Sequence, residues 1–240
     1  MPLTSARLVR IRPYALKFDG VNDYVKARQP KIEQVSAMVW VMPTGMPTGW
    51  NIIMRNPYTS PRYPYYTWNF NFYSNTLRVI AGVSHSSGNY ATITDPNPLS
   101  LNTWYFLALT YDVQALKYYK NGVLIDSKPF NYSLEYWTDE VSIGYAWNSY
   151  FFTGLIAEAL IYSRALSDSE IQWNYNYPDN PVRSGLIMWL PGLDEYITST
   201  QWLDKSGFGN NGTIYGATKT QVIKSAVRSQ AKIRVLSAVR

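Results

Sequence analysis

Oxygen ligands are the first chemistry-bearing feature of this chain. Asp19-Gly20 is a turn dipeptide, and Asn22 and Asp23 place two more side-chain oxygens beside it. Carboxylates and carbonyls gathered on one turn are what calcium takes. The same residues can equally close an Asx-type turn that holds no ion. A second concentration runs from Pro57 to Tyr66, with three prolines and four tyrosines. Prolines cannot complete a buried ladder, so a surface loop is expected. There Tyr58, Tyr63, Tyr65 and Tyr66 offer sugar rings an apolar face together with a hydroxyl. Packing of the loop on itself, or on a neighbouring subunit, is the plainer reading.

Other chemistries are excluded by composition. The chain has no cysteine, hence no disulfide, thiolate nucleophile or Cys-type zinc site. A single histidine, His85, rules out a multi-His metal site, and its Ser- and Gly-rich surroundings mark a solvated surface residue. Asp204 to Asn210 superficially suggests a calcium loop, but Phe208 stands where an EF-hand needs a fifth-position oxygen. No nucleophile elbow, P-loop or dinucleotide fingerprint occurs.

These residues must be positioned by a body of 240 residues, 46% hydrophobic and 16% charged, which suits one substantial core better than two. No apolar run approaches membrane-spanning length, so no membrane span is expected, and the first fifteen residues lack the apolar stretch of a secretory signal. The net charge of +6 is unevenly placed. Arg7, Arg10 and Arg12 precede Tyr14; Lys219, Lys224, Arg228, Lys232, Arg234 and Arg240 close the chain, leaving 13 basic against 16 acidic residues between. The basic character belongs to the ends. Residues 1–13 and 219–240 are therefore read as basic terminal arms around a domain spanning 14–218.

Within that domain the patterning is that of strands. Ile32 to Met42 is apolar at nearly every position, as in a strand buried on both faces, whereas Tyr66 to Phe72 alternates, with Tyr66, Trp68, Phe70 and Phe72 on one side. Asn121-Gly122 is a type I′ hairpin signal. Short strands with turns between them predict an all-β, two-sheet antiparallel sandwich, with Trp68, Phe70, Val39, Trp104, Leu107 and Ile161 in its core. One short helix is expected near 167–175, opened by a Ser167/Glu170 capping box and a Leu166/Ile171 staple.

Several segments together resemble laminin-G-like jelly-roll domains of the concanavalin A-like lectin/glucanase class. Phe18-Asp19-Gly20 with Asp23-Tyr24-Val25 is similar to that family's opening strand; Trp104-Tyr105 through Thr110-Tyr111-Asp112 to its tryptophan strand. Asn121-Gly122, Ile143-Gly144, Phe152-Thr153-Gly154 and Ile161 to Ser167 follow in the family's order, so the likeness covers roughly Ala15 to Ile171. It implies a jelly roll and a structural Ca2+ held by Asp19, Asn22 and Asp23 with Glu158 of the closing strand. Gly185 to Ala217 resembles the segment that in many such domains precedes the opening strand, so the order looks circularly permuted, with 185–217 closing the sandwich. A glucanase of this class would need acids in an E-x-D-x-x-E arrangement, which Glu135, Asp139 and Glu140 do not provide.

Three functions are weighed on these grounds. The favoured one is a non-enzymatic structural protein of a virion coat, decoration or tail, a homo-oligomer or a partner of other structural subunits. Its arms would link neighbours by strand addition through Arg10, Ile11, Arg12, Ile233, Arg234 and Val235, with nucleic acid a lesser partner and host glycans met by the loops. The alternative is a secreted or cell-surface carbohydrate-binding module, and a glycoside hydrolase comes last. A virion or an extracellular surface is the expected location.

Overall fold

Large apolar residues at alternate positions build sixteen strands over the parts of the chain that the computed structural model describes, residues 12–47, 49–57, 66–86, 88–146 and 149–222. In chain order they are β1 (Tyr14–Asp19), β2 (Tyr24–Arg28), β3 (Val35–Pro43), β4 (Ile52–Pro57), β5 (Tyr66–Phe72), β6 (Val79–Ser86), β7 (Asn89–Thr94) and β8 (Tyr105–Tyr111). Then come β9 (Ala115–Lys120), β10 (Val123–Pro129), β11 (Glu140–Ile143), β12 (Thr153–Tyr162), the helix α1 (Asp168–Asn176), β13 (Leu186–Pro191), β14 (Gln201–Trp202), β15 (Gly212–Tyr215) and β16 (Thr218–Gln221). All pairings are antiparallel. The first sheet runs β10-β9-β8-β3-β12-β1-β16, with β13 also on β12; the second runs β14-β15-β2-β11-β4-β5-β6-β7. The architecture is the all-β, two-sheet sandwich that the alternation predicts.

Between the sheets lies one apolar core that includes Phe18, Val39, Trp68, Phe70, Leu107 and Ile161. Trp104 is not in it. Trp104 lies one residue before β8 and packs half-buried on the outer side of the first sheet, whereas Leu107 on β8 faces the core. That outer side is covered as well: Met38, Trp40, Phe106, Leu160 and Trp189 form a second cluster with Leu166 and Ile171 at the start of α1. This is why β3 is apolar on both faces. The Asn121-Gly122 turn has φ of 53° and 78°, as a type I′ hairpin between β9 and β10 requires.

The capping box of α1 is formed: Ser167 Oγ accepts from the Glu170 amide at 3.3 Å, and Glu170 accepts from the Ser167 amide at 2.9 Å. Arg164 grips the same carboxylate at 3.0 and 2.5 Å, and these bonds hold the Glu170 carboxyl down at about 2.

Residues 186–221 complete both sheets of the same chain. β16 adds to β1, β15 adds to β2 with Ile214 opposite Val25, and β13 lies along β12. Trp189 and Ile214 are accordingly buried. β13 ends where β1 begins, so the two lie end to end beside β12, and the Tyr14 amide donates to the Gly192 carbonyl at 3.0 Å. A Cβ at Gly192 would lie 2.0 Å from the Tyr14 carbonyl oxygen, so only glycine fits this joint. Beside it Arg12 enters the interior. Its guanidinium binds Glu158, with Nε at 3.0 Å, and also Asp179 and the Pro178 carbonyl, while the Trp189 indole donates to Glu158 at 2.6 Å. Burial raises the Glu158 carboxyl above its ordinary range, against the pull of Arg12. Arg12 was expected in a terminal arm that links neighbouring subunits; it is buried in its own domain, where the Glu158 carboxylate needs its charge. At the other end the Val222 amide donates to the Pro13 carbonyl at 2.8 Å, so positions 13 and 222 leave the sheet side by side.

Three outcomes follow from this packing. Trp68→Ala is expected to cost about 3–5 kcal/mol in chemical denaturation, as for a large core truncation. Arg12→Met should cost about 3–5 kcal/mol by stranding a buried carboxylate, and Arg12→Met/Glu158→Met should regain at least half of that. Glu170, depressed in the fold, contributes stability above its unfolded value of 4.5 that is lost as pH falls towards 2. Glu170→Gln should therefore flatten the melting temperature across that interval.

Candidate functional site

The outer face of the second sheet carries an unbroken polar row. Strand register aligns Thr213 with Lys26, Lys26 with Ser142, Ser142 with Arg55, Arg55 with Asn69, Asn69 with Gly82 and Gly82 with Thr92. The alternate residues, among them Val25, Val141, Met54, Trp68, Ala81 and Ala91, fill the core. Period-2 geometry therefore turns every member of the row away from the core.

Electrostatics knit its centre together. Glu140 takes the Lys26 ammonium at 3.1 Å, the Ser142 hydroxyl at 3.0 Å and the Tyr145 phenol at 2.9 Å. The Tyr145 contact, with Glu140 behind it, raises the Lys26 ammonium above its ordinary value. Arg55 is only 3% exposed, and burial brings its guanidinium down to about 10 although Tyr145 and Glu140 work against the shift. An aromatic strip leads in from the edge: Tyr215 stacks on Tyr24 at 4.4 Å, Tyr24 meets Tyr145 at 4.4 Å, and Lys26 lies over the Tyr145 ring.

The asparagines are incompletely satisfied. Asn69 Nδ2 donates to Asn71, and Asn51 Nδ2 donates to the Phe151 carbonyl, yet Asn69 Oδ1 and Asn51 Oδ1 are buried with no hydrogen-bond partner. An unmet buried acceptor costs about 1–3 kcal/mol. Gly82 lets Tyr66 close over this end of the row, since a Cβ there would lie 2.5 Å from Asn69 Oδ1 and 2.7 Å from the Tyr66 hydroxyl.

Tyr66 is thus the one expected sugar-binding tyrosine found at this row. A register shift between Asn56 and Pro57 takes Tyr66 out of the alternation, so it does not share the core face with Trp68. Tyr58, Tyr63 and Tyr65 lie outside the described residues, as do Arg10, Ile11, Ile233, Arg234 and Val235. His85 is half-buried, its Nδ1 2.8 Å from the Ser133 carbonyl and its ring stacked on Tyr132.

The expected calcium ligands do not converge. Asp19 Oδ1 accepts from the Val21 amide at 2.8 Å and the Asn22 amide at 3.3 Å, and Asp23 Oδ2 accepts from the Asp19 amide at 2.9 Å. These are the bonds of an Asx-type turn. Burial, with Asp19 nearby, raises the Asp23 carboxyl. Glu158 is elsewhere: Asp19 pairs with Thr153, and Glu158 is five residues further along β12, roughly 16 Å away at strand rise. It serves Arg12 and Trp189 instead, so the four-residue set does not fit the ion. No group of three or more His, Asp or Glu suited to a metal occurs among the described residues. Asp204 is spent on its own loop, accepting from the Trp189, Ser206 and Asn210 amides at 2.8, 2.8 and 2.9 Å.

Lys26, Arg55, Asn69 and Ser142 were not singled out as site residues from sequence, and Glu140 was weighed only as a glucanase acid. Their only trace there is the polar half of the β5 alternation, Thr67, Asn69 and Asn71, which reads as a solvated face.

Comparison with known proteins agrees with this fold. Residues 19–172 match the family model for laminin-G-type domains of the concanavalin A-like lectin/glucanase superfamily. A crystal structure from Bacteroides ovatus, inferred to be a carbohydrate binding protein, superposes with a TM-score of 0.67 at 17% identity over 89% of this chain. The chain spans 61% of that protein's length. The heptameric SAP-like pentraxin of Limulus polyphemus gives 0.63 at 14% identity, over 89% of this chain and 97% of the pentraxin. No curated protein sequence matches the chain. With more than half of its length matched, the chain belongs to the laminin-G-type family of the concanavalin A-like lectin/glucanase superfamily.

Proposed function

We propose that the chain is a non-catalytic carbohydrate-binding module whose glycan surface is the outer face of the second sheet. The observation that carries this reading is the polar row that begins at Lys26, with the Tyr215–Tyr24–Tyr145 aromatic strip leading to it from the sheet edge. Sugar rings present vicinal hydroxyls that donate and accept at once, with C–H faces that pack on aromatic rings. Lys26 supplies a half-buried donor at the row's accessible end, Arg55, Asn69 and Ser142 are buried behind it and fix its setting, and Tyr215, 42% exposed, supplies a ring at the edge. Family membership and the fold shared with a protein inferred to bind carbohydrate support the same class.

Glu140 is the row's acid, and its carboxylate is engaged by Lys26, Ser142 and Tyr145. Glycoside hydrolysis asks for a pair of carboxyl groups placed to act as acid and as base or nucleophile. Glu140 is instead the anchor that orients the row's donors. A place in a virion or another assembly rests on the basic termini. Residues 1–11 and 223–240 lie outside the described residues, and the described Arg12 is committed to the interior.

Glycan-array screening of the full chain, followed by calorimetry on the best hit, tests the proposal. Tyr215→Ala and Lys26→Ala should each weaken binding about tenfold or more, equivalent to ~1.4 kcal/mol, while the melting temperature stays within a few degrees. Unchanged affinity in both variants, or no glycan bound at all, would sink the assignment.

A further inference from the structure

A second surface, on the opposite side of the sandwich, holds a cleft that the sheet row does not use. It lies between α1 and the segment that follows, and has a volume of about 490 Å3. It is a shallow depression, open to solvent. Glu170, Trp173, Asn180, Val182 and Arg183 are among its walls. Trp173 is 42% exposed. Its indole stacks on Tyr177 at 4.2 Å and donates to the Asn180 carbonyl at 2.8 Å, which fixes the ring's orientation while part of it stays open.

The charges around the cleft are uneven. Its acid, Glu170, is gripped by Arg164, and nearby Asp179 is held by Arg12. Arg183 is exposed and lies over the Trp189 ring at 4.5 Å; Lys205 approaches the same ring at 4.9 Å. Among the described residues neither cation has a carboxylate partner, in contrast to Arg12, Arg28, Lys26 and Arg164. An oriented indole beside an uncommitted guanidinium suits a ring that carries an anionic group, since arginine matches a carboxylate in bidentate geometry.

We propose that this cleft is a second saccharide site, selective for sugars that bear a carboxylate, with Trp173 as the stacking platform and Arg183 as the anion anchor. The site is independent of the sheet row and does not require that row to bind glycan. Two sites on opposite faces would let one module engage two chains of a glycan surface, with the gain in avidity that linkage gives.

Calorimetric titration of the full chain with sialyllactose, with a glucuronate-containing disaccharide and with lactose tests this. At least one acidic probe should bind tenfold or more tighter than lactose. Arg183→Gln should remove that preference, and Trp173→Ala should weaken both acidic probes at least tenfold, whereas Tyr215→Ala should leave them unchanged. Among the described residues the Arg183 guanidinium has no ion pair and rests on the Trp189 ring, so its variant keeps the test valid even if Trp173→Ala loosens the helix end. Equal affinity for lactose, indifference to Arg183→Gln, or no binding of either acidic probe would overturn the proposal. If Tyr215→Ala abolishes acidic binding and Arg183→Gln does not, the cleft is excluded and the sheet row stands.

Discussion

The interaction on which the sandwich depends is the buried charge pair of Arg12 and Glu158. It sits where β13 stops, β1 starts and β12 slips its register. Three separate stretches of chain, around positions 12, 158 and 189, have to arrive together before either charge is compensated. Desolvating two ions is costly, and the return comes only when geometry and extra hydrogen bonds are complete. The Trp189 indole and the Pro178 carbonyl supply those extra bonds. The pair adds little net stability in this view, but it penalises any arrangement in which β13 and β1 fail to meet.

The same trade recurs on the outer face of the second sheet. A face of small polar residues packed as tightly as Asn69, Asn71, Arg55 and Ser142 forgoes hydrophobic burial and leaves amide oxygens unmet. Where local groups violate the rule that buried polar atoms are paired, a functional cause is the usual one. The two faces of the molecule have opposite economies. The outer side of the first sheet is sealed by α1 with apolar residues; the outer side of the second is left polar and carries the candidate glycan surface.

Much of this was legible in the residues. Period-2 alternation identified β5, the Asn-Gly dipeptide identified the β9–β10 turn, and the capping box placed α1 within a residue at each end, because each is a local pattern with a local cause. Trp104 was misplaced because a core residue was inferred from size, whereas it lies just before β8 and packs on the outer side of the first sheet. Tyr66 left its face through a register shift that no composition reveals. Arg12 read as part of a basic run until the fold showed Glu158 waiting for it, and the row Lys26–Ser142–Arg55–Asn69 joins residues scattered over more than a hundred positions. Cross-strand neighbours of that kind are set by topology and register, which the sequence encodes only collectively.

The hydrogen bond between Val222 and Pro13 bears on how such a domain travels between proteins. Entry and exit of the chain are adjacent at the rim of the first sheet, next to β16, a short edge strand of sequence Thr-Lys-Thr-Gln. A domain whose two ends leave together can be spliced into a surface loop of a host polypeptide without prying the host apart. The polar, lysine-bearing edge beside the splice point discourages stray strand pairing with that host. The fold is in this respect a cassette, with Pro13 and Val222 held at one corner by a backbone hydrogen bond.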